Sequence, residues 1–481
     1  MCKNKISRVA KVGVAMLLVA ASVLGCTQTT ETSADIEPME AEESVAVSYD
    51  IIGGKDVMPI GTQWGPYALS VQSEDGQTPP YMITDEMWRA LSDMGINLLF
   101  HNGDDYNLNK KVVMDAMDLS EKYNMAYYVT DSKISEMILS GNDSMENITT
   151  RMSEYMNHPA FGGIHLVDEP KTMYYFAETA DSKLLDYYKN VGPMINQDLG
   201  IMAYHQVYPT LNDPSVRETY ERYVEEFCEV LQPQYLAMNR YPLVAAYKDS
   251  LDMLFSDIGV VWKNAKENGI PWWAYFGAGS QWNDAWTRFD TEGYYPLEGA
   301  YDWHINVCLA FGMQGMIIFP GVQPYHFAYS NDPTMDFERN GCIGVMGNKN
   351  RWYYYTQDIA KHVQVIDEVL MNSVNKGVIV SGEKANADVV YARDYGCVME
   401  GNSWRELKSV SGDAMVGCFN YQGKTALYVA NYDQEYAQDI QLNFQDTYNV
   451  TVIQDAETSY VNASELTLKM RAGDGALLIF E

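Results

Sequence analysis

Residues 158–170 read HPAFGGIHLVDEP, and this stretch carries the pattern from which the fold is predicted. A histidine–proline turn ends a helical pattern, and a short apolar run follows over residues 162–167. Asp168 and Glu169 close that run, just before a proline. In parallel α/β folds the carboxyl ends of the strands carry the functional side chains. The stretch therefore predicts a buried parallel strand with a carboxylate pair at its functional end.

The same alternation of short apolar runs and helical periodicity extends to both sides, beginning near residue 51. Such alternation favours α/β folds with parallel strands. Eight short runs are present, at residues 58–67, 96–101, 125–130, 163–167, 200–205, 235–239, 272–276 and 315–319. Helical patterns accompany them at residues 84–94, 110–123, 145–157, 181–197, 214–231, 249–268 and 296–311. We therefore predict an α/β fold, a (β/α)8 TIM barrel over residues 51–370. A doubly wound open sheet is the alternative, although no glycine-rich phosphate loop follows the first run.

The pattern changes near residue 371, where short strand-like runs are separated by turn residues. These runs are at residues 377–381, 388–392, 415–421, 425–432, 438–442, 449–454 and 475–480. Several short strands at such spacing are typical of an antiparallel β-sandwich. We therefore predict a small all-β sandwich domain over residues 371–481.

The amino terminus has the organisation of an export signal. Four cationic residues precede an apolar run at 12–23, which is too short for a comfortable membrane span. Leu24, Gly25 and Cys26 then resemble the lipobox of bacterial lipoproteins, which implies cleavage before Cys26 and lipidation of its thiol. The alternative is an ordinary signal peptide with a chance cysteine. We expect a signal peptide at 1–25, a flexible tether at 26–50, and a protein anchored by lipid on the extracellular face of the bacterial membrane.

Charge and cysteine usage exclude several classes of partner. The chain has 481 residues and a formal net charge of −32, and loss of the basic signal segment would leave about −36. This charge argues against nucleic-acid binding and suits a neutral substrate. The five cysteines after Cys26 are scattered and form no CxxC pair, so neither a zinc site nor a disulfide framework is predicted, although Cys397 and Cys418 could pair. No cofactor and no metal are predicted.

Three motifs resemble one enzyme group. The DEP of residues 168–170 resembles the Asn-Glu-Pro motif that ends the fourth strand in clan A glycoside hydrolases. NRYPL at 239–243 is similar to their sixth strand end, and HINVCLAFGMQGMIIF at 304–319 to the helix and strand that complete their barrel. The resemblance implies that Glu169 is the general acid, and that Asp168 stands where the clan has an asparagine that holds the sugar 2-hydroxyl. The simpler interpretation is that both residues start a loop and cap the next helix.

Glycosidic cleavage also needs a second carboxylate. In the clan this is a glutamate after the seventh strand, whereas residues 271–286 here read PWWAYFGAGSQWNDAW and contain none. Gln281 is nearest to the expected place, and Asp284 lies three residues further on.

Four interpretations of this departure stay open. Asp284 serves as nucleophile or base; or the enzyme inverts, with Asp104, Asp105 or Asp131 activating water. Alternatively, Asp168 and Glu169 act as a pair that resembles the pair of substrate-assisted hexosaminidases, or the site is degenerate and only binds.

Polar and aromatic residues follow most of the predicted strands, as a sugar pocket requires, because the polar groups bind hydroxyls and the rings stack on C–H faces. The predicted substrate-binding residues are Trp64, His101, His205, Asn239, Tyr241, Gln281 and Trp282. Gln323 lies beyond the last strand, and His165 is expected inside the barrel. The sequence contains no GxSxG motif of the kind that would indicate an esterase. The sequence predicts a glycoside hydrolase acting on extracellular oligo- or polysaccharides, with a glycan-binding surface lipoprotein as the alternative.

Overall fold

The computed structural model describes residues 49–68, 81–100, 110–131, 133–134, 136–137, 143–165, 197–198, 201–202, 214–243, 251–279, 297–323, 341–344 and 346–481.

A parallel sheet forms the first part of the fold. Its strands are β1 (Ile60–Thr62), β2 (Leu98–Phe100), β3 (Ala126–Val129), β4 (Phe161–His165), β5 (Gln197–Asp198), β6 (Ile201–Met202), β7 (Leu236–Asn239), β8 (Trp272–Gly277) and β9 (Met316–Phe319). They are ordered β5-β4-β3-β2-β1-β9-β8-β7-β6, and every neighbouring pair is parallel. The predicted parallel α/β architecture is confirmed.

The two end segments of this sheet are close together in the chain. β5 ends at Asp198 and β6 begins at Ile201. Three peptide units span at most about 11 Å, so the two ends of the strand order lie within that distance. The sheet is therefore strongly curled.

Helices surround the sheet and follow its strands. They are α1 (Asp85–Asp93), α2 (Lys110–Lys122), α3 (Met145–Met156), α4 (Pro214–Leu231), α5 (Leu251–Asn268), α6 (Glu298–Ala310), α7 (Arg351–Met371) and α8 (Glu383–Asp388). The Thr84 and Ser144 side chains cap α1 and α3 by accepting backbone N–H groups of the first turn. Within the described part of the chain, no helix combines the length and apolar character needed to cross a bilayer.

Helix α7 is absent from the sequence prediction, and its two-sided packing explains why. The Tyr353 hydroxyl donates to the carbonyl of Ala90 on one side, at 2.9 Å. On the other side the His362 ring lies 3.2 Å from the Tyr428 hydroxyl in the C-terminal sheet. Apolar residues on two faces blur the single stripe by which an amphipathic helix is detected.

The two faces of the parallel sheet belong to different clusters. Outward residues such as Leu99, Met238 and Ile318 pack with the helices. The inner face has its own cluster of Leu98, Phe100, Ala126, Tyr128, Tyr235, Ala237, Trp273, Tyr275, Ile317 and Phe319, together with Ile52 from the segment before β1. Both sets follow from the period-two alternation of strand side chains.

A β-bulge in strand β4 changes which of its side chains point to each face of the sheet. Its register with β3 shifts between the pairs Tyr127↔Phe161 and Tyr128↔Gly163, so Gly162 is an extra residue. A Cβ atom on Gly162 would lie 3.1 Å from that of Ala126, so only glycine fits easily. After the bulge Ile164 faces the helices and His165 faces the interior.

The C-terminal part is an antiparallel sheet. Its strands are β10 (Ser373–Ser381), β11 (Leu407–Ser411), β12 (Ala414–Tyr421), β13 (Lys424–Asn431), β14 (Gln438–Gln454), β15 (Glu457–Met470) and β16 (Gly475–Phe480). Their order is β10-β12-β13-β16-β14-β11, and β15 pairs with β14. The predicted antiparallel β region after the parallel sheet is confirmed.

Two details of the β prediction are wrong. Residues 388–392 are not a strand: α8 ends at Asp388, and a 3-10 turn follows at Ala392–Tyr395. Val389 and Ala392 are buried while Val390 is exposed, which is a three-residue spacing rather than an alternation. The runs at 438–442 and 449–454 belong to one long strand, β14, with a register irregularity between Asn443 and Tyr448.

The C-terminal sheet packs on the helices with one face. Met415, Phe419 and Tyr428 share a hydrophobic cluster with α5, α6 and α7, whereas the other face forms a separate core. Asn306 of α6 accepts a 2.6 Å hydrogen bond from the Tyr428 hydroxyl and donates at 2.8 Å to the carbonyl of Gly473. Helix α6 thus joins the two sheets through buried polar and apolar contacts.

Candidate functional site

Three aromatic rings lie together where β1, β7 and β9 end. The Trp64 and Phe319 rings are 5.0 Å apart between centroids, and the Tyr241 and Phe319 rings are 6.0 Å apart. The Trp64 carbonyl accepts a 2.8 Å hydrogen bond from the Val322 N–H, which ties the end of β1 to the segment after β9. We call these three rings the aromatic cluster. A half-buried group of rings of this kind can stack on the apolar face of a ligand.

Tyr241 reaches the aromatic cluster because the adjacent position in β8 is a glycine, which has no side chain. A Cβ atom on Gly277 would lie 3.2 Å from the Tyr241 ring, so the glycine leaves room for the ring to pack against the strand. Tyr241 is partly buried against the inner cluster of the sheet.

Polar side chains accompany the rings on the inner face. Asn239 is buried, and it has the same parity along β7 as the inward residues Ala237 and Tyr241. His165, at the end of β4, meets the ring of Phe100 edge-on with centroids 6.0 Å apart. The structure therefore brings Trp64, Asn239 and Tyr241 to the carboxyl end of one face. Their predicted role in binding substrate stays a prediction.

Gln323 contributes a buried acceptor beyond β9. Its N–H donates to the Ile343 carbonyl at 2.8 Å, and the Gly341 N–H donates to the Ala278 carbonyl at 2.7 Å. The segment at 341–343 thus holds the ends of β8 and β9. Gln323 is 1% exposed, and among the described residues its Oε1 atom has no hydrogen-bond partner. Buried acceptors of this kind are usually satisfied by water or by a ligand.

Arg240 faces away from the site. It is buried, and its Nε donates to Oδ2 of Asp257 on α5 at 2.7 Å, with Nη2 at 2.6 Å from the same oxygen. Burial raises the pKa of Asp257, and the guanidinium opposes that effect. The pair anchors the end of β7 to helix α5.

Asp131, one of the three aspartates considered in the inverting interpretation, is engaged in structural contacts, and that interpretation keeps Asp104 and Asp105. Its carboxylate accepts from Arg151 Nε at 2.9 Å, from Arg151 Nη2 at 3.0 Å and from the Tyr155 hydroxyl at 2.8 Å. The backbone N–H groups of Lys133 and Ile134 donate to it as well. Five donor contacts take up the acceptor capacity of this carboxylate. Asp131 therefore fastens β3 to α3.

One cluster of potential metal ligands lies elsewhere in the described part of the chain, formed by Asp118, Glu121 and His158. His158 Nδ1 accepts the Ala160 N–H at 3.1 Å, which leaves the proton on Nε2, and Nε2 lies 3.1 Å from Asp118 Oδ1. A metal at Nε2 would require the loss of that proton. The geometry is that of a hydrogen-bonded histidine–aspartate pair that supports the turn before β4.

His304 and two of the cysteines are buried away from the aromatic cluster. Desolvation lowers the pKa of His304 to about 3, and its ring packs edge-on against Phe276 with centroids 4.7 Å apart. Cys397 and Cys418 are buried free thiols rather than a disulfide.

Several predicted residues lie outside the described part of the chain, and the structure does not bear on them. They are Cys26, His101, Asp104, Asp105, Asp168, Glu169, His205, Gln281, Trp282 and Asp284.

No protein-family model and no curated protein matches the sequence. Among solved structures, the chain is similar to a family 39 glycoside hydrolase from Bacteroides cellulosilyticus WH2, with a TM-score of 0.46, 12% identity and coverage of 89% of this chain and 82% of that one. A glucosidase from Croceicoccus marinus gives a TM-score of 0.40 at 11% identity, covering 88% of this chain and 97% of that one. An endo-β-1,4-glucanase from Xanthomonas axonopodis pv. citri gives 0.41 at 11% identity, covering 64% of this chain and 100% of that one. All three TM-scores lie below 0.5.

Proposed function

We propose that this protein is a glycoside hydrolase that cleaves O-glycosidic bonds of oligo- or polysaccharides outside the cell. The observation that carries the proposal is the aromatic cluster of Trp64, Tyr241 and Phe319, on a face that also carries Asn239 and His165 at the carboxyl ends of its strands. Rings that stack on C–H faces beside groups that bind hydroxyls are what a neutral sugar needs.

The described part of β4 supports the choice of Glu169 as the general acid. His165 faces the interior, and side chains alternate along an extended strand. We propose Glu169, which follows β4 in the sequence, as the general acid at this strand end, because residues 168–170 resemble the clan A motif that carries it. An acid there would protonate the leaving oxygen of a sugar bound against the aromatic cluster.

The second carboxylate is proposed to come from the loop after β8. With Asp131 committed to Arg151, Asp284 is the first residue to test, followed by Asp104 and Asp105. The Asp168–Glu169 pair with a substrate acetamido group remains the alternative that needs no further carboxylate. The stereochemistry of the first product separates inversion, which requires a water between two well-separated carboxyl groups, from retention, which a nucleophilic Asp284 and the substrate-assisted pair both predict.

The parallel sheet is further proposed to close as an eight-stranded barrel through residues 197–202. In this proposal β5, which pairs with β4, and β6, which pairs with β7, are two halves of one strand. We also propose a division into a barrel domain up to residue 370 and a β domain from residue 371.

We further propose that the protein has a signal peptide and a lipid anchor at Cys26. Metabolic labelling with a fatty acid in a bacterial host, compared between wild type and Cys26→Ala, tests the anchor.

The activity test is a screen of aryl glycosides and polysaccharides with wild type and Glu169→Gln. We expect Glu169→Gln to lose hydrolysis of poorly activated substrates about 10²- to 10⁴-fold while still binding sugar, because general acid catalysis contributes a factor of that size. Asp131→Asn is the matched control, since it removes a carboxylate that is hydrogen-bonded to Arg151 and Tyr155. Equal turnover by wild type and Glu169→Gln would falsify the assignment. Binding without turnover by the wild type would favour the glycan-binding lipoprotein instead.

A further inference from the structure

Arg240 stands between two residues of the candidate site but does not enter it. Asn239 and Tyr241 have the parity of the inner face, so the side chain between them projects toward the helices. There Arg240 and Asp257 form a pair of which both members are almost completely buried, with nitrogen–oxygen distances of 2.7 and 2.6 Å. The site residues and the anchored residue therefore share one short piece of backbone.

The helix that holds Asp257 is itself braced from outside. Tyr395, in the 3-10 turn at Ala392–Tyr395, packs on α5 so closely that a Cβ atom on Gly259 would lie 2.5 Å from its ring. Burial raises the pKa of Tyr395, and the side chain of Ser256, next to Asp257, opposes that shift. On the other flank, Arg217 of α4 pairs with Asp394 at 3.0 Å. The anchor of β7 is therefore continuous with the C-terminal part of the chain.

A buried ion pair of this kind is weak evidence for stability. Its desolvation cost offsets most of the attraction, and apolar residues of similar volume often serve as well. What the pair does supply is direction, because a planar guanidinium accepts only a narrow range of orientations against a carboxylate, which a lysine ammonium does not reproduce.

We propose that Arg240 is a positioning residue, which with Asp257 fixes the backbone at the end of β7 and thereby aims Asn239 and Tyr241 at the substrate. This inference rests on the proposed function for its catalytic readout. A small rotation of residue 240 would turn both neighbours, since all three share consecutive peptide units. Misplacement of binding groups by a fraction of an ångström lowers turnover substantially.

The test compares Arg240→Lys, the double variant Arg240→Lys/Asp257→Glu, and Val416→Ala. We expect Arg240→Lys to raise KM and lower kcat/KM about 10-fold, because the shorter, non-planar cation no longer fixes the strand end. The longer glutamate should restore contact with the lysine and recover kcat/KM to within about 3-fold of wild type. Val416→Ala lies in the separate core of the C-terminal sheet, so it lowers thermal stability without changing KM. If Arg240→Lys merely lowers the folded fraction, with KM unchanged as in Val416→Ala, the positioning role is refuted.

Hydrogen exchange separates failure of this inference from failure of the proposed function. In Arg240→Lys, we expect the amides at 236–241 to exchange about 10-fold faster than in wild type, while those of β9 and the C-terminal sheet keep their rates. Absence of any glycan cleavage or binding by the wild type overturns the proposed function but leaves this readout intact. Unchanged exchange at 236–241 overturns the positioning role, whatever the activity.

Discussion

The inner face of the parallel sheet has two ends with opposite chemistry. At the amino end the rings of Tyr235 and Trp273 stack with centroids 3.8 Å apart, and Ile52 joins the same buried apolar cluster. At the carboxyl end the sheet presents Asn239 on β7, His165 on β4 and the half-buried Tyr241. The same strands thus supply packing at one end and hydrogen-bonding groups at the other.

This difference shows how the fold separates stability from chemistry. Side chains at the amino end are apolar and fill space, whereas the carboxyl end, where the functional groups of parallel α/β folds lie, carries buried polar side chains. Substitutions at the amino end should therefore change the free energy of unfolding, and substitutions at the carboxyl end should change substrate binding.

The largest effect is expected for Trp273→Ala. Trp273 is buried at the amino end and stacks on Tyr235, so the truncation leaves a cavity and should lower the free energy of unfolding by about 3–5 kcal/mol. Urea denaturation followed by circular dichroism measures the loss. Trp404→Ala, in the half-buried edge of the C-terminal sheet, is the control and should lose far less. A raised KM with unchanged stability would contradict the division between the two ends.

Asp131→Asn comes next and tests a strand end that looks functional but is structural. Loss of the charge that receives Arg151, Tyr155 and two backbone N–H groups should lower the free energy of unfolding by about 2–3 kcal/mol. Turnover per folded molecule should stay within about 3-fold of wild type, because this carboxylate is taken up by five structural hydrogen bonds. A hundredfold loss of kcat in a fully folded variant would restore Asp131 as the base.

Asn239→Ala should act at the carboxyl end. Removing one hydrogen-bonding group from the site is expected to raise KM about 10- to 100-fold, or about 1.4–2.8 kcal/mol of binding free energy. Asn306→Ala is the matched control, since Asn306 is equally buried but bonds to Tyr428 and Gly473 far along the chain. Equal effects of the two variants on KM would show that Asn239 does not bind the substrate.

The smallest effect is a pH dependence at the amino end. Asp367 of α7 accepts the Met58 N–H just before β1, and desolvation raises the pKa of its carboxyl to about 6 although backbone N–H groups oppose the shift. The folded chain therefore keeps a proton that the unfolded chain releases. This contribution to stability is complete below about pH 4 and is lost as the pH rises through 6.

Asp367→Asn removes this titration but keeps an acceptor for the Met58 N–H. Wild type should lose free energy of unfolding relative to the variant between pH 4 and pH 7, as measured by urea denaturation at several pH values. Parallel pH curves for the two proteins would show that Asp367 does not carry the proton. The KM of both proteins should match at each pH, because the group lies at the end of the sheet away from the site.

Much of the parallel sheet was predictable because its signal is local. Apolar runs at 235–239, 272–276 and 315–319 coincide within one residue with β7, β8 and β9, since strands buried on both faces must be apolar throughout. Strand β15 escaped prediction because it is mostly exposed and polar, and its pairing with β14 depends on a hairpin rather than on burial. The candidate site was predictable only as a set of strand ends, from which Trp64, Asn239 and Tyr241 could be chosen but not oriented.

The direction in which a side chain at a strand end points could not be deduced from the sequence. Asp131 and Asn239 both follow apolar runs, yet the first turns outward to Arg151 and the second inward. The bulge at Gly162 exchanges the two faces of β4 for the residues that follow it. Two consecutive glycines in the sequence do not reveal that a bulge occurs there.

The sequence by itself determined the succession of parallel strands and helices, the change to an antiparallel sheet near residue 371, and the kinds of side chain at each strand end, because burial and periodicity are written into consecutive residues. Only the tertiary structure decided which of those side chains meet. It paired Asp131 with Arg151, and Asp257 with Arg240, and it gathered Trp64, Tyr241 and Phe319 from three strands. The reason is physical: contacts between residues distant in sequence depend on the curvature and register of the whole sheet, which no local pattern specifies.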